Sequence, residues 1–431
     1  MNDKHIAEYL IEELINNKNT SIKTKAVKIV EQKSNFKNKD IVINLNPLAW
    51  RSLIDRDDKL LDKSTNILDY YLKKQSLNIS GLENQYTEAL KWIKTEKWEI
   101  KIENLTLGNG EIYVKLNKSC LINSVIRDAI KLNEFYGKRT DGGNFFIKIN
   151  EDTESSLTTT RLRLLKNTCE NVLKALGYAI EENAEHKLFL TTKSQGKIEN
   201  GFDRCLCGVV KNPVSNAKET GLSYSQYLEQ KIKLVREAND SRPVDEIEDQ
   251  QLEMIAQAVI TFEFMSVKPS HPCFIKVDSD ADKAGTCNRG GTFVLYNLAR
   301  ITKILNKFQY EVDSGKYPEL WDIDKVDLHL LDSEEEWNLI YNYIYDYPFI
   351  LKRIIEIEAN GHCKIHPQLL SAFLLNLCQK FSNYYRRCRI LTDGRSQLLQ
   401  EMMRRIYLLK ALQIVFTNAL EILNITPISR M

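Results

Sequence analysis

The run HPQLLSAFLLNLCQKFSNYYRRC, His366 to Cys388, opens on a proline and then places an apolar residue at every third or fourth position. Leu370, Phe373, Leu374, Leu377, Phe381, Tyr384, Tyr385 and Cys388 share one stripe at that spacing, which predicts an amphipathic helix starting at Pro367. A second run, Ser396 to Asn424, repeats the pattern on Leu399, Met403, Ile406, Leu409, Ile414, Leu420 and Leu423. From Thr292 onward Gly and Pro fall at predicted joints such as Gly361, Pro367, Gly394 and Pro427, so this part of the chain reads as an all-α bundle.

Upstream the period changes. Phe145–Ile149 reads as a strand and Thr160–Leu176 as a helix stopped by Gly177. Short strands follow at Lys187–Leu190 and Cys205–Val210, with helices at about 223–238 and 247–265, so the middle of the chain is α/β. Before it, alternation over Trp98–Ile102 and Ile112–Leu116 around Gly108-Asn109-Gly110 predicts a hairpin, and a helix runs from Lys118 to Gly137. The first 95 residues show helical periodicity in pieces, as at Ile6, Leu10 and Leu14. Three domains are expected: 1–138, 139–285 and 286–431.

With 431 residues, 43% apolar and 27% charged, the chain has the composition of a folded multidomain protein. Net charge is only +2, so a nucleic-acid role requires local clustering. That clustering is present. Between Glu311 and Asn360 thirteen acids face four bases, whereas between Ser371 and Met431 nine bases face three acids. No apolar run approaches the ~20 residues of a membrane span, and Glu8, Glu12 and Glu13 interrupt the first amphipathic segment, unlike a secretory signal. Nine cysteines, an odd number, suit free thiols in a reducing compartment, so a cytoplasmic or nuclear location without disulfides is expected.

The segments His366–Leu370, Phe381–Cys388, Arg405–Ala411 and Ile425–Met431 together resemble the DALR anticodon-binding domain of arginyl-tRNA synthetases. Tyr296-Asn297-Leu298-Ala299-Arg300-Ile301 is similar to the Tyr-Ala-His-Ala-Arg-Ile helix that opens that domain, and Ala258–Ser266 to the helix before it. Gly110–Gly137 resembles the end of the synthetase's additional domain, and Phe146–Tyr178 the first βα unit of its Rossmann core. The resemblance implies a degenerate arginyl-tRNA synthetase-like chain of mixed α+β and α class, with a reduced Rossmann-like remnant ahead of the helical DALR bundle.

Its departures from the synthetase pattern bear on activity. A class I synthetase uses the histidines of a His-Ile-Gly-His loop and the lysine of a Lys-Met-Ser-Lys-Ser loop to stabilise charge on the α-phosphate. Here the first place reads Ser156-Leu157-Thr158-Thr159, and the second Asn212-Pro213-Val214-Ser215-Asn216-Ala217-Lys218. Resemblance to non-catalytic synthetase-like members of the family implies an adaptor, without cofactor or metal. It would bind arginine tRNA and present it to a 3-methylcytidine tRNA methyltransferase of the methyltransferase-like protein 2 type. Competing readings are an arginine–tRNA ligase with degenerate motifs and a tRNA-binding chaperone with no enzyme partner.

The same resemblance points to Tyr384, Tyr385, Arg386, Arg387, Arg404, Arg405, Arg430 and Met431 as anticodon contacts, and to Ile112, Tyr113 and Lys115 as contacts for the tRNA elbow. Each has a plain competitor. Phe381 reads as core, the two tyrosines stand open between core packing and base stacking, the arginines compete with a solvated basic face, and Arg430-Met431 with a frayed end. Cys205 with Cys207, and His362-Cys363 with His366, lack the second ligand pair of a zinc site, and Gly142-Gly143 reads as a turn.

Overall fold

The computed structural model describes residues 6–15, 26–29, 40–55, 57–92, 100–150, 154–240, 249–275, 290–357, 363–392 and 395–428. The chain divides into two compact units: residues 1–128 with 327–342, and residues 129–326 with 343–431.

In the first unit, strands β1 (Val27–Ile29), β2 (Ile41–Asn44), β3 (Ile102–Gly108) and β4 (Glu111–Leu116) form an antiparallel sheet in the order β1-β2-β4-β3. Helices α1 (Ile6–Ile15), α2 (Pro47–Trp50), α3 (Ile67–Lys74) and α4 (Leu82–Trp92) accompany it, and α5 (Lys118–Leu132) follows β4. In α1 the predicted stripe Ile6, Leu10 and Leu14 is buried. The hairpin forms at the predicted turn, but its first strand lies later than Trp98–Ile102. Register counts outward from the two-residue turn, with Gly110 in the left-handed region (φ 71°), pairing Gly108 with Glu111 and Ile102 with Leu116. Trp98 and Glu99 lie outside the described residues.

The second unit is built around a parallel sheet of β5 (Asn144–Ile149), β6 (Ala179–Ile180), β7 (His186–Thr191) and β8 (Phe202–Leu206), ordered β6-β5-β7-β8. Phe145, Ile147, Leu188 and Leu190 are buried on the face covered by α6 (Ser156–Ala175). That helix begins four residues before the predicted start, because Ser155 caps it: its Oγ accepts the Thr158 N–H at 3.3 Å. It ends at Gly177, whose φ of 85° requires glycine. The strand expected over Cys205–Val210 is two pieces, the end of β8 and then β9 (Val210–Lys211), which pairs in parallel with β10 (Cys273–Phe274).

Helices α7 (Tyr224–Asp240) and α8 (Asp249–Met265) pack together through a buried network in which Tyr227 Oη and Lys231 Nζ both donate to the Glu263 carboxylate, at 2.6 and 3.0 Å. α9 (Gly291–Asp313) approaches α8 so closely that a Cβ on Gly291 would stand 2.8 Å from the Ala258 carbonyl oxygen. Residues 327–342 belong to the first unit and hold α10 (Glu334–Leu339); Trp337 there is buried, stacks on Tyr341 and takes Lys118 over its ring at 4.8 Å. The acidic stretch therefore contributes core as well as surface. Beyond it, α11 (Tyr347–Ile354), α12 (Gln368–Arg387) and α13 (Ser396–Ile422) complete the helical part, with one inserted antiparallel pair, β11 (Ile355–Ile357) and β12 (Cys363–Ile365). The α12 stripe from Leu370 to Tyr384 is buried, as are Met403, Ile406, Leu409 and Leu420 of α13. Among the described residues no helix is long and apolar enough to cross a membrane.

Candidate nucleic-acid interface

Where α9 and α12 meet, three side chains form a stack on the surface. The Arg300 guanidinium lies 4.5 Å from the ring centre of Tyr296 and 4.8 Å from that of Tyr385, and its Nη2 donates to Tyr296 Oη at 2.6 Å. Below it the helices are pinned: Ser382 Oγ donates to Asn297 Oδ1 at 2.9 Å, while buried Asn297 donates to the Phe293 carbonyl at 2.8 Å. Tyr385 is 40% exposed, and Arg386 and Arg387 beside it in the last turn of α12 are exposed. Two cations there also suit the negative end of the helix dipole. Tyr384 is placed otherwise. It is fully buried, because one residue's step around the helix, 100°, turns it under with Phe381 and away from solvent, so it offers no face to a base.

The remaining predicted contacts divide. Arg405 is engaged within the chain, pairing with Glu401 at 2.6 Å and donating to the Arg389 carbonyl at 2.9 Å. Arg404 is half-buried, and its Nε is buried without a hydrogen-bond partner among the described residues. Arg430 and Met431 lie outside the described residues. In the first unit Ile112 is 1% exposed and belongs to the sheet's buried face, which corrects its reading as an elbow contact; period-two alternation sends Tyr113 and Lys115 to the opposite face. Lys115 pairs there with Glu103 at 2.8 Å.

Sequence reading passed over the rest of the α9 face. Tyr296, Arg300, Lys303, Lys307 and Tyr310 recur at intervals of four, three, four and three, which is a helical face of three basic residues flanked by two tyrosines. Lys303 and Lys307 are exposed and Tyr310 is 71% exposed. The spacing itself was the signal.

At the positions read above as counterparts of the synthetase loops, Ser155, Ser156 and Thr158 bond within the chain. Ser156–Thr159 form the first turn of α6, where Thr158 Oγ1 accepts the Val210 N–H at 3.1 Å, Ser156 Oγ accepts the Tyr224 N–H at 3.0 Å and Ser155 Oγ donates to the Glu219 carbonyl. Asn212–Lys218 is a turn closed by the Asn212 side chain and backbone, and Lys218 pairs with Glu154 at 3.5 Å. One turn into α6, Arg161 is 1% exposed and donates to the carbonyls of Gly208 at 2.6 Å and His271 at 2.8 Å, with those of Lys268 and Val267 at 3.4 and 3.5 Å. The last two follow the C-terminus of α8, so the guanidinium ties the start of α6 to the segment that leaves that helix. Burial pushes the Cys205 and Cys363 thiols up to about 12, which keeps them protonated and unreactive near neutral pH.

Residues 294–431 match the family of the DALR anticodon binding domain. The chain is similar to DALR anticodon-binding domain-containing protein 3 of Danio rerio, at 29% identity over 234 residues (52% of this chain and 41% of that protein), and of Mus musculus, at 28% (52% and 42%). It thus matches less than half the length of these relatives. Similarity to the arginine–tRNA ligase of Borreliella burgdorferi is 27% over 33% of this chain and 21% of that one. In fold the chain is similar to the arginyl-tRNA synthetase of Thermus thermophilus (TM-score 0.63, 11% identity, 99% of this chain and 100% of that chain covered) and to that of Plasmodium falciparum (TM-score 0.61, 12% identity, 99% and 98%). The molecule has an arginyl-tRNA synthetase-like fold, mixed α/β in its first part and helical in its last, with a DALR anticodon-binding domain at residues 294–431.

Proposed function

We propose that this chain is a non-catalytic tRNA-binding adaptor. It holds arginine tRNA through the α9/α12 surface of the DALR domain and presents it to a 3-methylcytidine tRNA methyltransferase of the methyltransferase-like protein 2 type. The carrying observation is the Tyr296–Arg300–Tyr385 stack with exposed Arg386 and Arg387, lying within the residues that match an anticodon-binding family. A guanidinium between two rings keeps its edge available to a base or phosphate while the exposed ring supplies a stacking face. The hydroxyls of Ser155, Ser156 and Thr158 support the non-catalytic part, since they cap a helix and tie down two loops and supply no cationic donor for an α-phosphate. The names of the curated relatives, which give a DALR anticodon-binding domain, support the tRNA-binding part.

The test is removal of the gene followed by mapping of 3-methylcytidine across all tRNAs, alongside arginine-dependent ATP–pyrophosphate exchange with the purified chain. The proposal expects loss of 3-methylcytidine confined to arginine tRNAs, and no exchange. Unchanged methylation with reduced arginine charging, or exchange at a synthetase-like rate, overturns it in favour of a ligase.

A further inference from the structure

The parallel sheet has a second face. In the register of β5, β7 and β8, Phe146 sits opposite Lys187, Lys148 opposite Phe189, Lys187 opposite Phe202 and Phe189 opposite Arg204. Because side chains alternate, all six point away from α6, whose side is filled by Phe145, Ile147, Leu188 and Leu190. This outer face is a checkerboard of rings and cations. Phe202 contacts Phe146 and Phe189 edge-on at 6.1 and 6.4 Å between ring centres, and Lys187 Nζ lies 5.9 Å from the Phe202 ring. The three rings are only partly covered, and the Lys148 side chain is 44% exposed.

A cavity of about 350 Å³ opens on this face, lined by Phe189 and Phe202, by Lys148 and Asn150 at the carboxyl end of β5, and by Lys197 and Glu199 of the loop between β7 and β8. Arg204 holds that loop in place by donating to the carbonyls of Lys193, at 3.1 Å, and Gly196. Glu199 pairs with Lys148 across the cavity.

We propose that this face is a binding site for single-stranded RNA, with one nucleotide seated in the cavity, its base against Phe189 and Phe202 and its flanking phosphates on Lys148, Lys187 and Lys197. Partly exposed rings interleaved with cations on a sheet are what sequence-tolerant strand recognition needs, because every base has a π-face and every linkage one negative charge. The volume admits one nucleotide. Glu199 acts as a restraint, holding Lys148 until a phosphate competes for it. The site shares no residue with the α9/α12 surface and stands whether or not the bundle reads an anticodon.

The test is fluorescence-anisotropy binding of labelled octauridylate to the full chain. Lys148→Glu with Lys197→Glu, both at exposed positions, should weaken binding about tenfold or more and flatten its salt dependence. Phe189→Leu with Phe202→Leu, which keeps apolar volume and fold as checked by circular dichroism, should weaken it severalfold, and Glu199→Gln should tighten it by freeing Lys148. The lysine and phenylalanine effects should persist in a chain that also carries Arg386→Glu and Arg387→Glu, which removes strand binding at the α9/α12 surface, and uridine monophosphate should compete only weakly. The proposal is overturned if the lysine variants bind like the parent, if their effect disappears in the Arg386→Glu, Arg387→Glu background, or if the mononucleotide binds as tightly as the strand.

Discussion

Arg161 and Arg300 lie in the same compact unit and carry the same guanidinium, yet one is sealed and the other displayed. Arg161 is 1% exposed, with two close carbonyl partners and two longer ones, so its charge is satisfied by backbone dipoles and holds α6, Gly208 and the 267–271 segment together. Arg300 touches two tyrosine rings and one hydroxyl, interactions that orient its plane and leave it half-buried. A cation bonded on all sides by its own chain builds structure, whereas one stacked on rings is pre-organised for a ligand. The contrast extends to whole regions. The start of α6, read above as the counterpart of a synthetase loop, has its hydroxyls bonded to its own chain, whereas the α9/α12 surface presents exposed Arg386 and Arg387.

The largest effect expected from this contrast is on stability. Replacing Arg161 with Leu removes two close charge-assisted hydrogen bonds and leaves buried carbonyls without donors, a loss of roughly 3–6 kcal/mol. Arg300→Ala should cost less, about 1 kcal/mol, as suits a half-buried cation–π contact. Urea midpoints of the two variants measure this directly, and equal losses would erase the distinction. Adjacent tyrosines give a second, slightly smaller contrast. Tyr384→Ala opens a cavity in the bundle core and should cost about 3 kcal/mol. Tyr385→Ala should leave the thermal midpoint nearly in place and weaken tRNA binding by the ~1–3 kcal/mol of a lost base stack.

A third effect concerns pH. Burial raises the Asp346 carboxyl to about 6, with nearby Arg353 offsetting part of the rise. An acid with a raised folded-state value binds its proton more tightly folded than unfolded, so its contribution to stability falls as pH rises from about 4 to about 6. Asp346→Asn lacks that loss. Its stability relative to the parent should therefore increase between pH 4 and pH 7, by something on the order of 1–3 kcal/mol. A decrease over the same interval would mean that the Arg353 pairing outweighs burial.

Elements whose residues obey one period were legible in the sequence. The α12 and α13 stripes, β5 and the stop at Gly177 follow from core burial and glycine conformation, forces that repeat along the chain. Local capping is less visible. The Thr-rich start of α6 reads as loop because β-branched residues disfavour helix, until the Ser155 hydroxyl is seen accepting the Thr158 amide. The β11/β12 pair was hidden because strands of three residues carry no period. In the candidate site, Arg386 and Arg387 were readable as a basic turn, whereas Tyr384 and Tyr385 differ only in helical phase, which the neighbouring helix decides. Arg161 carried no signal at all, since nothing in a sequence marks an arginine whose partners are main-chain carbonyls up to 110 residues away.

The central claim is that the displayed α9/α12 surface grips tRNA. Equilibrium binding of an arginine tRNA transcript to the full chain across a salt series, for the parent and for Arg386→Glu with Arg387→Glu, tests it most directly. The account predicts affinity that falls steeply with salt for the parent, and for the variant a loss of about tenfold or more with a salt slope lower by roughly two, one for each phosphate contact removed. A variant that binds arginine tRNA with the parent's affinity and the parent's slope would contradict it.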